Sequence, residues 1–119
     1  MTTSARAWDA DLVRQWLERR YAASRLDQAV ADRRGYDARD DFDKAAAEEW
    51  ACRALMGADC TNDQAAFAAR IKQLIGQEEY PATGLHDDVR FERNVRAYLR
   101  KLAKMTKANE GFENTLRHQ

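Results

Sequence analysis

Nucleophilic or metal chemistry in this chain would have to start from Cys52, Cys60, His86 and His118. A thiolate beside an imidazole is a common nucleophile pair, and Cys60 with His86 supplies the residue types but no spacing that brings them together. Cys52 and Cys60 are separated by seven residues, which is not a zinc-ligand interval. Neither histidine stands in an H-E-x-x-H or E-x-x-H pattern, which would set two ligands on one helix face. The acidic run Asp37, Asp40, Asp41 and Asp43 lacks the turn glycine and closing glutamate of a calcium loop. Charge at the positive end of a helix explains that run better. The adjacent pairs Glu48–Glu49 and Glu78–Glu79 splay around the backbone and do not converge. Five glycines, at 35, 57, 76, 84 and 111, stand singly, so no glycine-rich phosphate loop exists. The expectation is a non-enzymatic protein without metal or cofactor, with Cys52 in the core and Cys60 in a loop.

The chemistry that is present is electrostatic. Residues 90–119 carry eight basic side chains against three acidic ones, while residues 35–58 carry three against six and residues 59–89 two against six. The positive charge gathers at Arg90, Arg93, Arg96, Arg100, Lys101, Lys104 and Lys107, with Glu92 the one acid among them. On a helical wheel Phe91, Val95, Tyr98, Leu99, Leu102 and Met105 fill an arc of roughly 120°, and the seven cations fill an opposite arc of roughly 140°. The apolar arc must face a core, so the cations are expected to form an outward ridge. A solvated face that completes internal ion pairs is the plainer alternative. The cations repel one another at i, i+3 and i, i+4, a cost that an external anion would relieve.

Four helices are needed to position that ridge, at about 9–33, 40–56, 63–75 and 87–107, with a tail at 112–119. In the first, Trp8, Leu12, Trp16 and Val13, Leu17, Tyr21 recur every four residues, and Leu26, Ala29 and Val30 continue the stripe. Ser4 or Asp9 is its expected cap, and Gly35 follows its end. In the second, Phe42, Ala46, Trp50 and Ala54 share a face, and Gly57 stands past its end. Thr61-x-x-Gln64 has the capping-box pattern for the third, and Gly76 closes it. Alanines in the second and third helices are expected to let helices approach closely. Gln77–His86, with Pro81 and Gly84, reads as a loop. The fourth helix begins near Asp87, and Gly111 ends it at the latest. The tail either frays or docks through Phe112 and Leu116.

The composition agrees. There are 22 Ala, one Pro and six Val plus Ile among 119 residues, a helix former's balance. The expected fold is all-α: a small, compact antiparallel bundle in one domain. No apolar stretch approaches the ~18 residues of a membrane span. Without an apolar leader near the N-terminus, and with two cysteines only, the expected compartment is the cytoplasm. Fifteen Arg against five Lys suggest a GC-rich bacterial or phage source. A protein–protein interaction module is the expected function, a small regulator or inhibitor of a larger bacterial complex that uses the seven cations on an acidic partner. Trp8, at the extreme start of the first helix, reads first as a core residue and second as a candidate anchor for that partner. The alternative is binding to a nucleic-acid backbone through the same basic face. A helix–turn–helix across residues 57–62 is too poor in donors, with Arg70 and Lys72 alone on the would-be recognition helix.

Overall fold

In the computed structural model, which describes residues 8–57, 59–80, 88–107, 112 and 115–117, Asp9 starts the first helix. Its backbone is extended, and its carboxylate accepts the amide of Leu12 at 3.0 Å. Helix α1 spans Ala10–Arg34 and stops at Gly35, whose φ of 83° is a left-handed value that a side chain would strain. A single 3-10 turn, Tyr36–Ala38, leads straight into α2, Arg39–Gly57. Helices α3, Gln64–Ile75, and α4, Asp88–Lys107, complete the fold. Every end falls within about one residue of the position the hydrophobic spacing implies. No strand occurs among the described residues, and the protein is a small all-α bundle. Ser4, Pro81, Gly84, His86, Asp87, Gly111 and His118 lie outside the described residues.

The cap of α3 differs from expectation. Asp63, not Thr61, accepts the amide of Ala66, at 2.8 Å. A carboxylate at this end meets the helix dipole with full charge, which a threonine hydroxyl does not. Thr61 is buried and accepts Arg14 on its hydroxyl at 3.1 Å. Gln64 reaches instead across to α4, where its amide donates to the Thr106 carbonyl at 2.7 Å.

Helix α2 is the centre of the bundle: α1 lies along one side and α4 along the other, while α3 packs mainly on α4. The connectivity remains up-down-up-down, yet the parallel pair α2 and α4 are close neighbours, as Arg90 beside Asp43 and Tyr98 beside Cys52 show. Small residues explain this approach, because Ala45, Ala46, Ala47, Ala51 and Cys52 are all buried along α2. The seam of α1 follows the same logic: Val13, Leu17, Ser24 and Ala31 are buried, spaced by four and then seven. Leu26 and Val30 therefore do not continue the stripe; they are 65% and 44% exposed. The four helices form a flattened array, and the tail fills the remaining gap. Phe112 and Leu116 are buried, Phe112 packs against Trp16 with ring centroids 6.0 Å apart, and Arg19 donates to the Leu116 carbonyl at 2.7 Å.

One polar contact fixes α4 on α2. Asp43 has no exposed surface, and its Oδ2 accepts Arg90 Nη1 at 3.0 Å; the same nitrogen donates to Asp40 at 3.0 Å. Removing Arg90 leaves a carboxylate buried without its cation, so Arg90→Ala is expected to cost about 3–5 kcal/mol in urea unfolding. Adding Asp43→Asn to that variant should recover a large part of the loss. Equal stability of the single and double variants would show that charge burial is not what Arg90 relieves.

Candidate functional site

Helix α4 has the two faces its sequence implies. Phe91, Val95, Leu99 and Leu102 are buried against α2 and α3, with Thr106 beside them, while Tyr98 and Met105 are half-buried. The seven cations do not behave as one ridge. Arg93, Arg100, Lys101, Lys104 and Lys107 are exposed. Arg90 and Arg96 turn back into the protein, and this corrects the expectation of a uniform outward face.

Arg90 is drawn in by the buried Asp43 described above. Arg96 closes the open end of α3: its Nη2 donates to the Gln77 carbonyl at 2.9 Å and its Nε to the Ile75 carbonyl at 3.3 Å. Its guanidinium also lies 5.0 Å from the ring centroid of Tyr80, and Glu92 stands 3.7 Å away. The last carbonyls of a helix lack amide partners, and a planar cation with several donors reaches one of them, at Ile75, together with the Gln77 carbonyl just past the helix. No sequence spacing signals this role, because the carbonyls that recruit Arg96 belong to another helix.

Trp8 is likewise engaged. Its indole donates to the Thr61 carbonyl at 2.8 Å, and its ring meets Phe67 and Phe112 at centroid distances of 5.5 and 5.8 Å. It seals the end of the aromatic core where α1 and α3 meet, so it is half-buried and not a free anchor. Trp16 is buried in the same cluster, while Trp50 is half-buried with its ring edge-on to Tyr80 at 4.9 Å.

Among the described residues, grooves lie on both flanks of α4. The one toward α1 and α2, about 590 Å³, mixes signs: Arg20, Arg34, Lys44 and Lys101 face Asp27, Asp41 and Glu48. Arg20 is already bound to Glu48 through two nitrogens at 2.9 and 3.1 Å. The groove toward α3, about 690 Å³, has a floor of Ala65, Ala68, Ile71, Ile75 and Ala103 and a rim of Lys72, Lys104 and Lys107. Among its described lining residues there is no carboxylate. The alanines of α2 permit close helix contact as expected, but Ala65, Ala68 and Ala69 of α3 are exposed. The expectation that the α3 alanines face a neighbouring helix is corrected: the buried face of α3 is carried by Phe67, Ile71 and Leu74, and these alanines lie on the other side.

The thiols are placed for packing. Cys52 is fully buried, its Sγ 3.8 Å from the Tyr98 hydroxyl, and burial pushes its pKa up to about 12. Burial also raises Cys60, whose thiol donates to the Leu55 carbonyl at 3.3 Å. Neither holds a thiolate at neutral pH. No group of three or more His, Cys, Asp or Glu among the described residues is arranged to hold a metal. Asp40 and Asp43 meet Arg90 instead. No described helix is long and apolar enough to cross a membrane.

Arg96→Ala is expected to lower stability by about 1–3 kcal/mol, through loss of the two carbonyl contacts and the Tyr80 stack. Arg93→Ala should stay within about 0.5 kcal/mol of the parent. Similar losses at both positions would contradict the division of α4 into engaged and free cations. Alkaline titration gives a second test. The Tyr98 hydroxyl is raised, first by burial, as Cys52 is, whereas the unfolded chain ionises near the ordinary values of 9.0 and 10.0. The unfolded state therefore loses protons that the native state keeps. Stability should be level below about pH 8 and fall above pH 9 by on the order of 1 kcal/mol per pH unit for the thiol. Chemical denaturation across pH 7–11 should show a shallower decline in the Cys52→Ala, Tyr98→Phe double variant; an unaltered slope would place the alkaline weakness elsewhere.

In comparison with known proteins, no family model, curated protein or solved structure matches this chain, so its function is argued from the site alone.

Proposed function

We propose that this protein is a non-enzymatic interaction module, a small regulator or inhibitor that docks on a larger partner through the exposed cations of α4 and recognises an acidic protein surface. One observation carries the reading: Arg93, Arg100, Lys101, Lys104 and Lys107 are exposed and have no ion pair among the described residues, and Lys104 and Lys107 border an apolar groove. Like charges at i, i+3 and i, i+4 each cost a few tenths of a kcal/mol in an isolated helix. Arg100, Lys104 and Lys107 follow that spacing with no acid between them. An acidic partner removes the repulsion on binding and steers encounter at a distance.

A phosphate backbone would also answer the charge, but it would leave the apolar groove beside Lys104 and Lys107 in water. Protein interfaces combine a desolvated apolar centre with a polar rim, and this face offers both.

The test reverses charge only where the structure leaves it free. The Arg93→Glu, Arg100→Glu, Lys101→Glu, Lys104→Glu variant is expected to keep the helical circular-dichroism spectrum and a melting temperature within a few degrees of the parent. Affinity capture from a nuclease-treated lysate of the native host should retain an acidic protein on the parent chain and lose it on the variant. Equal capture on both would remove the basic face from the interface. Tight duplex DNA binding, with log K against log salt falling near −4 for four contacts at about −0.9 each, would favour the nucleic-acid reading instead.

A further inference from the structure

Resting on that reading of α4, we infer that the groove between α3 and α4 is a preformed seat for one amphipathic helix of the partner, about three turns long and acidic along both flanks of its apolar stripe.

The groove is held open at a defined width. At one end Gln64 bonds to the Thr106 carbonyl at 2.7 Å, and at the other Arg96 bonds to the carbonyls of Ile75 and Gln77. These contacts tie two antiparallel helices together at both ends of α3 and leave the middle clear. The twelve residues of α3 span about 18 Å, from ~1.5 Å per residue, and this sets the length of helix that fits. Between the ties the floor is Ala65, Ala68, Ile75 and Ala103, with Ile71 beneath. Residues this small let a third helix approach to the 8–10 Å typical of packed helices, and its ridge would fill the groove.

Charge selects the occupant. Lys72 stands on the α3 lip, and Lys104 and Lys107, one turn apart, stand on the α4 lip; Arg100 extends that line by a further turn. Helix α3 contains no acidic residue at all, although the chain has 20 Asp and Glu among 119 residues. A bound helix with Glu or Asp at i and i+3 or i+4 on each flank meets both lips, while a basic helix is repelled by both. The groove on the other flank of α4 differs here, because it holds carboxylates of its own, and Glu48 and Asp41 already pair with Arg20 and Arg34.

The experiment titrates the full ¹⁵N-labelled chain with three lactam-bridged 14-residue peptides. One has a Leu/Ile/Ala stripe flanked by Glu, the second has the same composition scrambled so that the stripe is lost, and the third has the stripe flanked by Lys. The first should bind at least tenfold more tightly than the other two, with amide shifts concentrated at Ala65, Ala68, Ile75 and Ala103. Ala68→Glu, on an exposed position four residues before Lys72, should keep the parent's melting temperature and weaken that peptide at least tenfold. Unchanged binding by Ala68→Glu overturns the groove as the seat. Equal binding of the scrambled acidic peptide, with shifts at Arg93, Arg100 and Lys101, also overturns the groove but leaves the basic-face reading standing. Absence of binding by either acidic peptide overturns both.

Discussion

The burial of Asp43 governs how this bundle is assembled. A carboxylate with no exposed surface needs a cation, and α2 does not direct one toward it. The cation comes from the first turn of α4, so α4 must lie beside α2 with Arg90 against it. From that pin, the helical repeat sends Phe91, Val95, Leu99 and Leu102 into the core and leaves Arg93, Arg100 and Lys104 on the far side. Oδ1 of Asp43 has no hydrogen-bond partner among the described residues, so Arg90 is the contact that makes the burial tolerable. A buried pair of this kind adds little net stability over an apolar pair of the same shape. What it adds here is the rotational setting of α4.

Once α4 is set against α2, α1 and α3 occupy opposite sides of that pair, and the bundle is flattened. In a flattened array each helix has fewer neighbours, and the aromatic cluster compensates. Trp8, Trp16, Phe67 and Phe112 meet from α1, α3 and the tail, with neighbouring centroids 5.5–6.2 Å apart. Without them α1 and α3 would be joined only through α2 and α4. The same flattening leaves a groove on each flank of α4, and the charge of each groove follows from which helices wall it. Helices α1 and α2, which supply Asp27, Asp41 and Glu48, wall one, and acid-free α3 walls the other.

The sequence carried the helices to within a residue, because apolar spacing, helix-start aspartates and isolated glycines all report local geometry. It also carried the separation of α4 into apolar and basic arcs. It did not carry the fate of Arg90 and Arg96, since a buried carboxylate on α2 and the free carbonyls of α3 are known only once the helices are placed. The choice between core and anchor for Trp8 was out of its reach for a related reason: the neighbours that engage it, Thr61 and Phe112, lie far along the chain. The stripe through Leu26 and Val30 failed because Ser24 and Ala31, poor in apolar signal, are the residues small enough to let α2 come close. Small residues at a tight seam are weak in hydrophobicity and strong in geometry, so periodicity underweights them.

The alanines of α3 have a structural reason of their own. A helix of twelve residues is held by its buried face, here Phe67, Ile71 and Leu74, and on its outward positions alanine is the most favourable filler. Exposed alanine alone therefore says nothing about a partner. The rim is what separates the two explanations. Stability alone would favour a glutamate at position 68, which would pair with Lys72 one turn on and support the helix by a few tenths of a kcal/mol. It would also favour acids in the first turn, as in α1 and α2, where Asp11, Asp40 and Asp41 stand. Apart from its cap, α3 has none, and the cations opposite it on α4 are left unanswered. A helix optimised only for itself would neutralise that lip; one that faces an acidic segment from outside gains by leaving the lysines free.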